Sequence, residues 1–122
     1  MGGPKIKHVL LLPLNCNPPP GTTGKGPEVP WDVIDGMLDE IYVLFGGLTV
    51  AGTVRGAYKM DSGERQDDDS LEVWIGVEEC EIPELKKLVG KFGKKLGQES
   101  MYLERTGATI DFIPPSEEGE VP

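Results

Sequence analysis

Apolar side chains fall into short blocks along this chain, and each change in their spacing marks a new element. Residues 6–12, IKHVLLL, are almost continuously apolar, too short for a helix and closed by Pro13. That pattern predicts a central strand covered on both faces. From Trp31 the spacing lengthens: Trp31, Ile34, Leu38, Ile41 and Phe45 recur at helical intervals, with Val33, Met37 and Leu44 widening the stripe. Pro30 suits the first helical position and Gly46-Gly47 a helix stop. The period then drops to two. Leu48, Val50, Val54 and Tyr58 are set against Thr49, Thr53 and Arg55, and later Leu71, Val73, Ile75 and Val77 against Glu72, Trp74 and Glu78. Two strands result, joined by DSGERQDDDS read as a polar turn. A second helix opens at Pro83, with the stripe Leu85, Leu88, Val89, Phe92 and Leu96, and ends at Gly97. SMYLE reads as a fourth strand. A Thr106-Gly107 turn then permits a short added strand, TIDFI.

The predicted order is β-α-β-β-α-β with a short C-terminal strand added. Two right-handed crossovers place the first strand beside the third, in one antiparallel sheet with both helices on one face. The expected class is therefore α+β, on the ferredoxin-like plan. Residues 1–114 are expected to form a single domain containing a long Pro/Gly-rich loop over 13–29, and residues 115–122 an acidic, disordered tail.

Such a sheet buries one face and leaves the other open. The outward set is expected to be Arg55, Glu72, Trp74, Tyr102 and Glu104, with Ala51, Ala57 and Gly76 making room between them. A tryptophan beside an arginine, over small residues, is not the composition of a merely solvated face. The apolar first strand also expects cover there. These features predict a homodimer packed sheet on sheet, using that face for association and for a small-molecule ligand.

Composition narrows the chemistry. With 12 basic against 21 acidic residues the net charge is −9, which argues against nucleic-acid binding. The Lys86–Lys95 cluster interleaves with an apolar stripe and reads as a solvated helix face. The stretch PPPGTTGKGP imitates a phosphate-binding loop. However, Gly21 and Gly24 enclose only two residues, and Lys25 is followed by Gly-Pro rather than a hydroxyl residue. Cys16 and Cys80 follow the ends of antiparallel neighbours and are expected at opposite edges of the sheet. Neither has a CxxC partner, and His8 is the only histidine, so no Cys/His metal site is expected and no catalytic residue or cofactor is assigned. Asp67 to Asp69 read as a solvated hairpin tip. The N-terminal run resembles a lipoprotein signal but is short, broken by Pro13, and has Asn15 before the cysteine. A cytoplasmic protein without membrane contact is the expectation.

The segments LFGGLTV, GAYKMDSGE and LGQESMYLE resemble a pattern in short, functionally uncharacterised bacterial proteins: Phe-Gly-Gly-x-Thr at one helix end, Gly-Gln-Glu at the next. The resemblance spans about residues 30–104, supports the same order of elements and implies no activity. Gln98 and Glu99 read as a helix-end capping pair, or as a secondary ligand-facing pair. The main functional expectation is thus a non-enzymatic homodimeric binding module. The alternative is a small enzyme with an acid–base carboxylate site between the sheet and the 13–29 loop, using Glu72, Glu104 and Arg55.

Overall fold

A computed structural model describes residues 3–19, 21–22 and 24–116. The elements are β1 (Lys5–Pro13), α1 (Trp31–Phe45), β2 (Thr49–Lys59), β3 (Arg65–Val77), a 3₁₀ turn (Glu79–Glu81), α2 (Ile82–Lys95) and β4 (Tyr102–Ile110). The four strands form one sheet in the order β2-β3-β1-β4, every neighbouring pair antiparallel. This is an α+β architecture consistent with the ferredoxin-like plan.

The core forms where period-two strands meet period-3.6 helices. On β1, His8, Leu10 and Leu12 are buried and stand opposite Ile75, Val73 and Leu71 of β3. Ile34, Met37, Ile41 and Phe45 of α1 join the same apolar cluster, with Ile82, Leu85, Leu88, Val89 and Phe92 of α2. His8 belongs to this core face, and its Nδ1 lies 3.1 Å from the Ile6 carbonyl. The α1 stripe is rotated from the expected one: Trp31 and Leu44 are exposed, and Met37 takes the buried position. The helix stops at Gly46, whose φ of 85° is left-handed and whose N–H donates to the Tyr42 carbonyl.

Three expectations are corrected. First, the β2–β3 turn is confined to residues 60–64, closed by Met60 N–H to the Glu64 carbonyl at 2.8 Å, with Gly63 at φ 88°. Asp67 to Asp69 therefore lie inside β3, not at a hairpin tip. The ladder to β2 holds this polar segment extended, and its carboxylates are partnered by Arg65, Gln66, Lys25 and Arg55. Second, Thr106-Gly107 is not a turn. His8 faces Arg105 and Ile6 faces Thr109, so Thr106, Gly107 and Ala108 oppose Lys7 alone as a bulge. The Thr106 hydroxyl donates to the Lys7 carbonyl and accepts the Ala108 N–H, which keeps β4 running to Ile110. Third, the added C-terminal strand is absent: residues 111–116 are irregular, with Phe112 and Ile113 exposed. The expected acidic tail lies, from residue 117 onward, outside the described residues.

The 13–29 loop is pinned rather than free. Leu14 N–H donates to the Asp69 carbonyl, Val29 N–H to Leu14, and Cys16 N–H to Pro27. Asn15 Nδ2 reaches the Gly26 carbonyl at 3.1 Å. Gly26 is required here because a Cβ would stand 2.0 Å from the Cys16 carbonyl oxygen. Lys25, the lysine of the imitation phosphate loop, is engaged by Asp69. Cys16 and Cys80 are both free thiols, each past the end of a strand antiparallel to the other.

Hydrogen bonding from Lys25 holds the Asp69 carboxyl below its ordinary value of 3.8. A depressed carboxylate contributes its anchoring fully above that ordinary value and loses it as pH falls through the lower folded one. The Lys25 side-chain NMR signals are accordingly expected to titrate with an inflection below 3.8, and Asp69→Asn at neutral pH to speed tryptic cleavage after Lys25. An unchanged cleavage rate would show that the backbone bonds alone hold the loop.

Candidate functional site

The strand registers define what the open face presents. On β3 the outward positions are Gln66, Asp68, Ser70, Glu72, Trp74 and Gly76, alternating with the buried Leu71, Val73, Ile75 and Val77. On β1 they are Lys7, Val9, Leu11 and Pro13. Leu11 lies between Glu72 and Tyr102, and Val9 between Trp74 and Glu104. Four of the five expected residues, Glu72, Trp74, Tyr102 and Glu104, are thus brought together on one surface. The outward side of β1 is only partly covered within one chain.

Arg55 is not among them. Val50 faces Val73, but Gly52 faces Glu72, so the residue between them is an extra one in β2. Gly52 carries the bulge at φ 142°. A one-residue slip exchanges the two faces of a strand. Beyond it Val54 and Tyr58 turn to the open face, opposite Ser70 and Gln66, while Arg55 stands opposite Asp69 with its Nε 3.7 Å from the carboxylate. Arg55 therefore lies on the helix side, near the 13–29 loop, away from Glu72 and Glu104. Ala57, opposite Asp67, is likewise turned away, and of the small residues Gly76 stays on the open face.

The polar groups of this face are paired with its aromatic rings. Trp74 Nε1 donates to Glu72 Oε2 at 2.6 Å, and Lys7 Nζ sits 3.7 Å above the indole ring. The Tyr102 hydroxyl donates to Glu104 Oε1 at 2.8 Å; this bond raises the phenol above its ordinary value, with the nearby Tyr58 hydroxyl adding to the shift. A Cβ on Gly56 would stand 2.9 Å from the Tyr58 hydroxyl, so Gly56 leaves room for that ring over the sheet.

At the C-terminal end of β1 the face deepens into a cleft of about 210 Å³ between the sheet and the 13–29 loop. Leu11, Pro13 and Ser70 line it from the central strands, Tyr58 and Tyr102 from the two edge strands. Asn17 and the 98–100 turn complete the lining. Its ionisable lining is Asp68 and Glu99 against Lys59. Gln98 serves the helix end, as expected of a capping residue: its Nε2 is 3.5 Å from the carbonyls of Asn15 and Leu96, while Glu99 faces the cleft. Within the wall lies Gln66, 5% exposed, whose Nε2 donates to Asp68 Oδ1 at 3.1 Å. Its Oε1 has no partner among the described residues.

Gln66 and Ser70 were not singled out from the sequence and Asp68 was read as part of a hairpin tip, because the segment 61–70 carries so many turn-forming residues; Tyr58 was set on the opposite face of β2 from Arg55. The signal was present as alternation: Gln66, Asp68, Ser70, Glu72, Trp74 and Gly76 continue one period of two. Among the described residues, no group of three or more His, Cys, Asp or Glu side chains is placed to hold a metal ion. Among the described residues, no helix is long and apolar enough to cross a membrane.

The chain matches no protein-family model and no curated protein. Among solved structures it is similar to a phage SAM lyase in complex with S-methyl-5'-thioadenosine. The two are 18% identical, with a TM-score of 0.60 over 91% of this chain and 88% of that one. At this identity the likeness is one of fold.

Proposed function

We propose that this protein binds a small molecule in the cleft at the C-terminal end of β1, and that its ligand is neutral or cationic rather than a phosphate ester. The observation that carries the reading is the charge of the lining. Asp68 and Glu99 outweigh Lys59, and Glu72 and Glu104 continue the negative surface along the face. An anionic ligand would meet like charges in a partly desolvated setting, whereas a neutral or positive one would not. The volume is below the roughly 300–1,000 Å³ of sites that enclose a drug-sized ligand, so the cleft takes one part of a molecule and leaves the rest along the open face.

The neighbour of like fold holds S-methyl-5'-thioadenosine, a neutral molecule of the right kind, and SAM is its cationic relative. Both are suitable probes. In isothermal titration, both are expected to bind and ADP is not. Glu99→Lys is expected to weaken SAM several-fold more than S-methyl-5'-thioadenosine, because only SAM carries the positive charge. Equal binding of ADP would overturn the charge argument. Conversion of SAM in the same mixture would favour the acid–base reading of Glu72 and Glu104.

A second reading, association of two copies through the same face, is supported by the apolar strip of Val9, Leu11 and Trp74 running down its middle. Such a dimer would roof the cleft. Light scattering is expected to give a dimer mass for the intact protein and a monomer mass for folded Trp74→Glu. A monomer in both cases would remove this reading and leave the cleft to act alone.

A further inference from the structure

Taking the cleft as the ligand site, we infer that it recognises an amino group carried on a planar nitrogen heterocycle, and that Gln66 Oε1 is the acceptor that reads it. Asn17 Nδ2 donates to the Gly97 carbonyl at 2.8 Å, which fixes Asn17 Oδ1 as an acceptor. Gln66 Nε2 lies 3.5 Å from that oxygen and 3.1 Å from Asp68 Oδ1. Both neighbours accept, so a flipped amide would set Oε1 against a carboxylate and a carbonyl oxygen. The amide is held one way round, with its donor spent.

What is left is a buried carbonyl oxygen without a partner among the described residues, in the wall of a cleft. Buried acceptors in folded proteins are almost always satisfied. The missing partner is a donor, and the adjoining Asp68 carboxylate makes an approaching carbonyl or phosphate unfavourable.

The shape of the donor follows from the walls. Tyr58 and Tyr102 stand on the two edge strands with the cleft between them, both half-exposed. Aromatic rings on either side of a floor of Leu11, Pro13 and Ser70 favour a flat ring over a flexible ammonium chain. A volume of about 210 Å³ suits one such ring system, with any sugar or tail left along the open face.

The test compares adenosine with inosine, in which a carbonyl oxygen replaces the ring amino group and the adjacent ring nitrogen carries a proton. Titration into the wild-type protein is expected to show adenosine at least 10-fold tighter. Gln66→Met, of similar length without the acceptor, is expected to bring the two within about 2-fold of each other. Gln66 is buried, so if the variant fails to fold the wild-type comparison decides alone. If adenosine and inosine bind the wild type equally, while S-methyl-5'-thioadenosine or SAM still binds, the inference about Gln66 fails and the cleft stands, with Oε1 satisfied by water. If none of the four binds, the reading of the cleft as a ligand site fails with it.

Discussion

The pairing of β1 with β3 is the constraint on which the rest depends. With Leu10 opposite Val73 and Leu12 opposite Leu71, every even position of β1 from His8 to Leu12 is committed to the core beneath the helices. The odd positions are committed to the other face by the same geometry. A one-residue slip that turned β3 over would bury Glu72 and expose Leu71, Val73, Ile75 and Val77. The apolar core thus fixes the polar face, though it touches none of its groups.

Glycine and bulge positions then decide which side chains share that face. The extra residue before Gly52 carries Arg55 to the helix side and brings Tyr58 to the cleft. The bulge opposite Lys7 keeps β4 paired as far as Ile110, where its side chain packs within 2.8 Å of a Cβ placed on Gly76. At the other end Asn17 and Gln98 tie the 13–29 loop to the helix end, so the cleft has a rim from three separate segments. The long Pro/Gly-rich loop contributes Pro13 and Asn17 to the cleft wall and is held by backbone bonds and by the Lys25–Asp69 pair.

The helices and strands were largely legible in the sequence, because burial on one face imposes a period that composition cannot hide. Leu85, Leu88, Val89 and Phe92 mark α2, and Leu71 to Val77 mark the second half of β3, without ambiguity. Less was legible where tertiary pairing overrides local preference. Asp67 to Asp69 are poor strand formers, yet the β2 ladder and four partner side chains hold them extended. Thr106-Gly107 has turn chemistry but is consumed by a bulge. The single Gly52 inside a strand pattern was the available sign of a register slip, and it separates Arg55 from Glu72. Four of the five expected face residues were recoverable from alternation alone. Gln66 shares that alternation, but its role was not legible, because what distinguishes it is an oxygen without a partner among the described residues, a property of the folded neighbourhood rather than of the residue type.

The central claim is that the polar end of the open face, and not another hollow of the surface, is where a ligand sits. The chain has a larger apolar recess at the opposite end of the sheet, of about 670 Å³, around Trp74, Phe45 and Phe112. Mapping amide and side-chain NMR shifts on addition of S-methyl-5'-thioadenosine separates the two places directly. The account predicts shifts at the Gln66 side-chain amide, Ser70, Tyr102 and the 98–100 turn, with Trp74 Nε1 and Phe112 unmoved. Shifts confined to Trp74, Phe112 and the α1 C-terminus, with Gln66 silent, would contradict it.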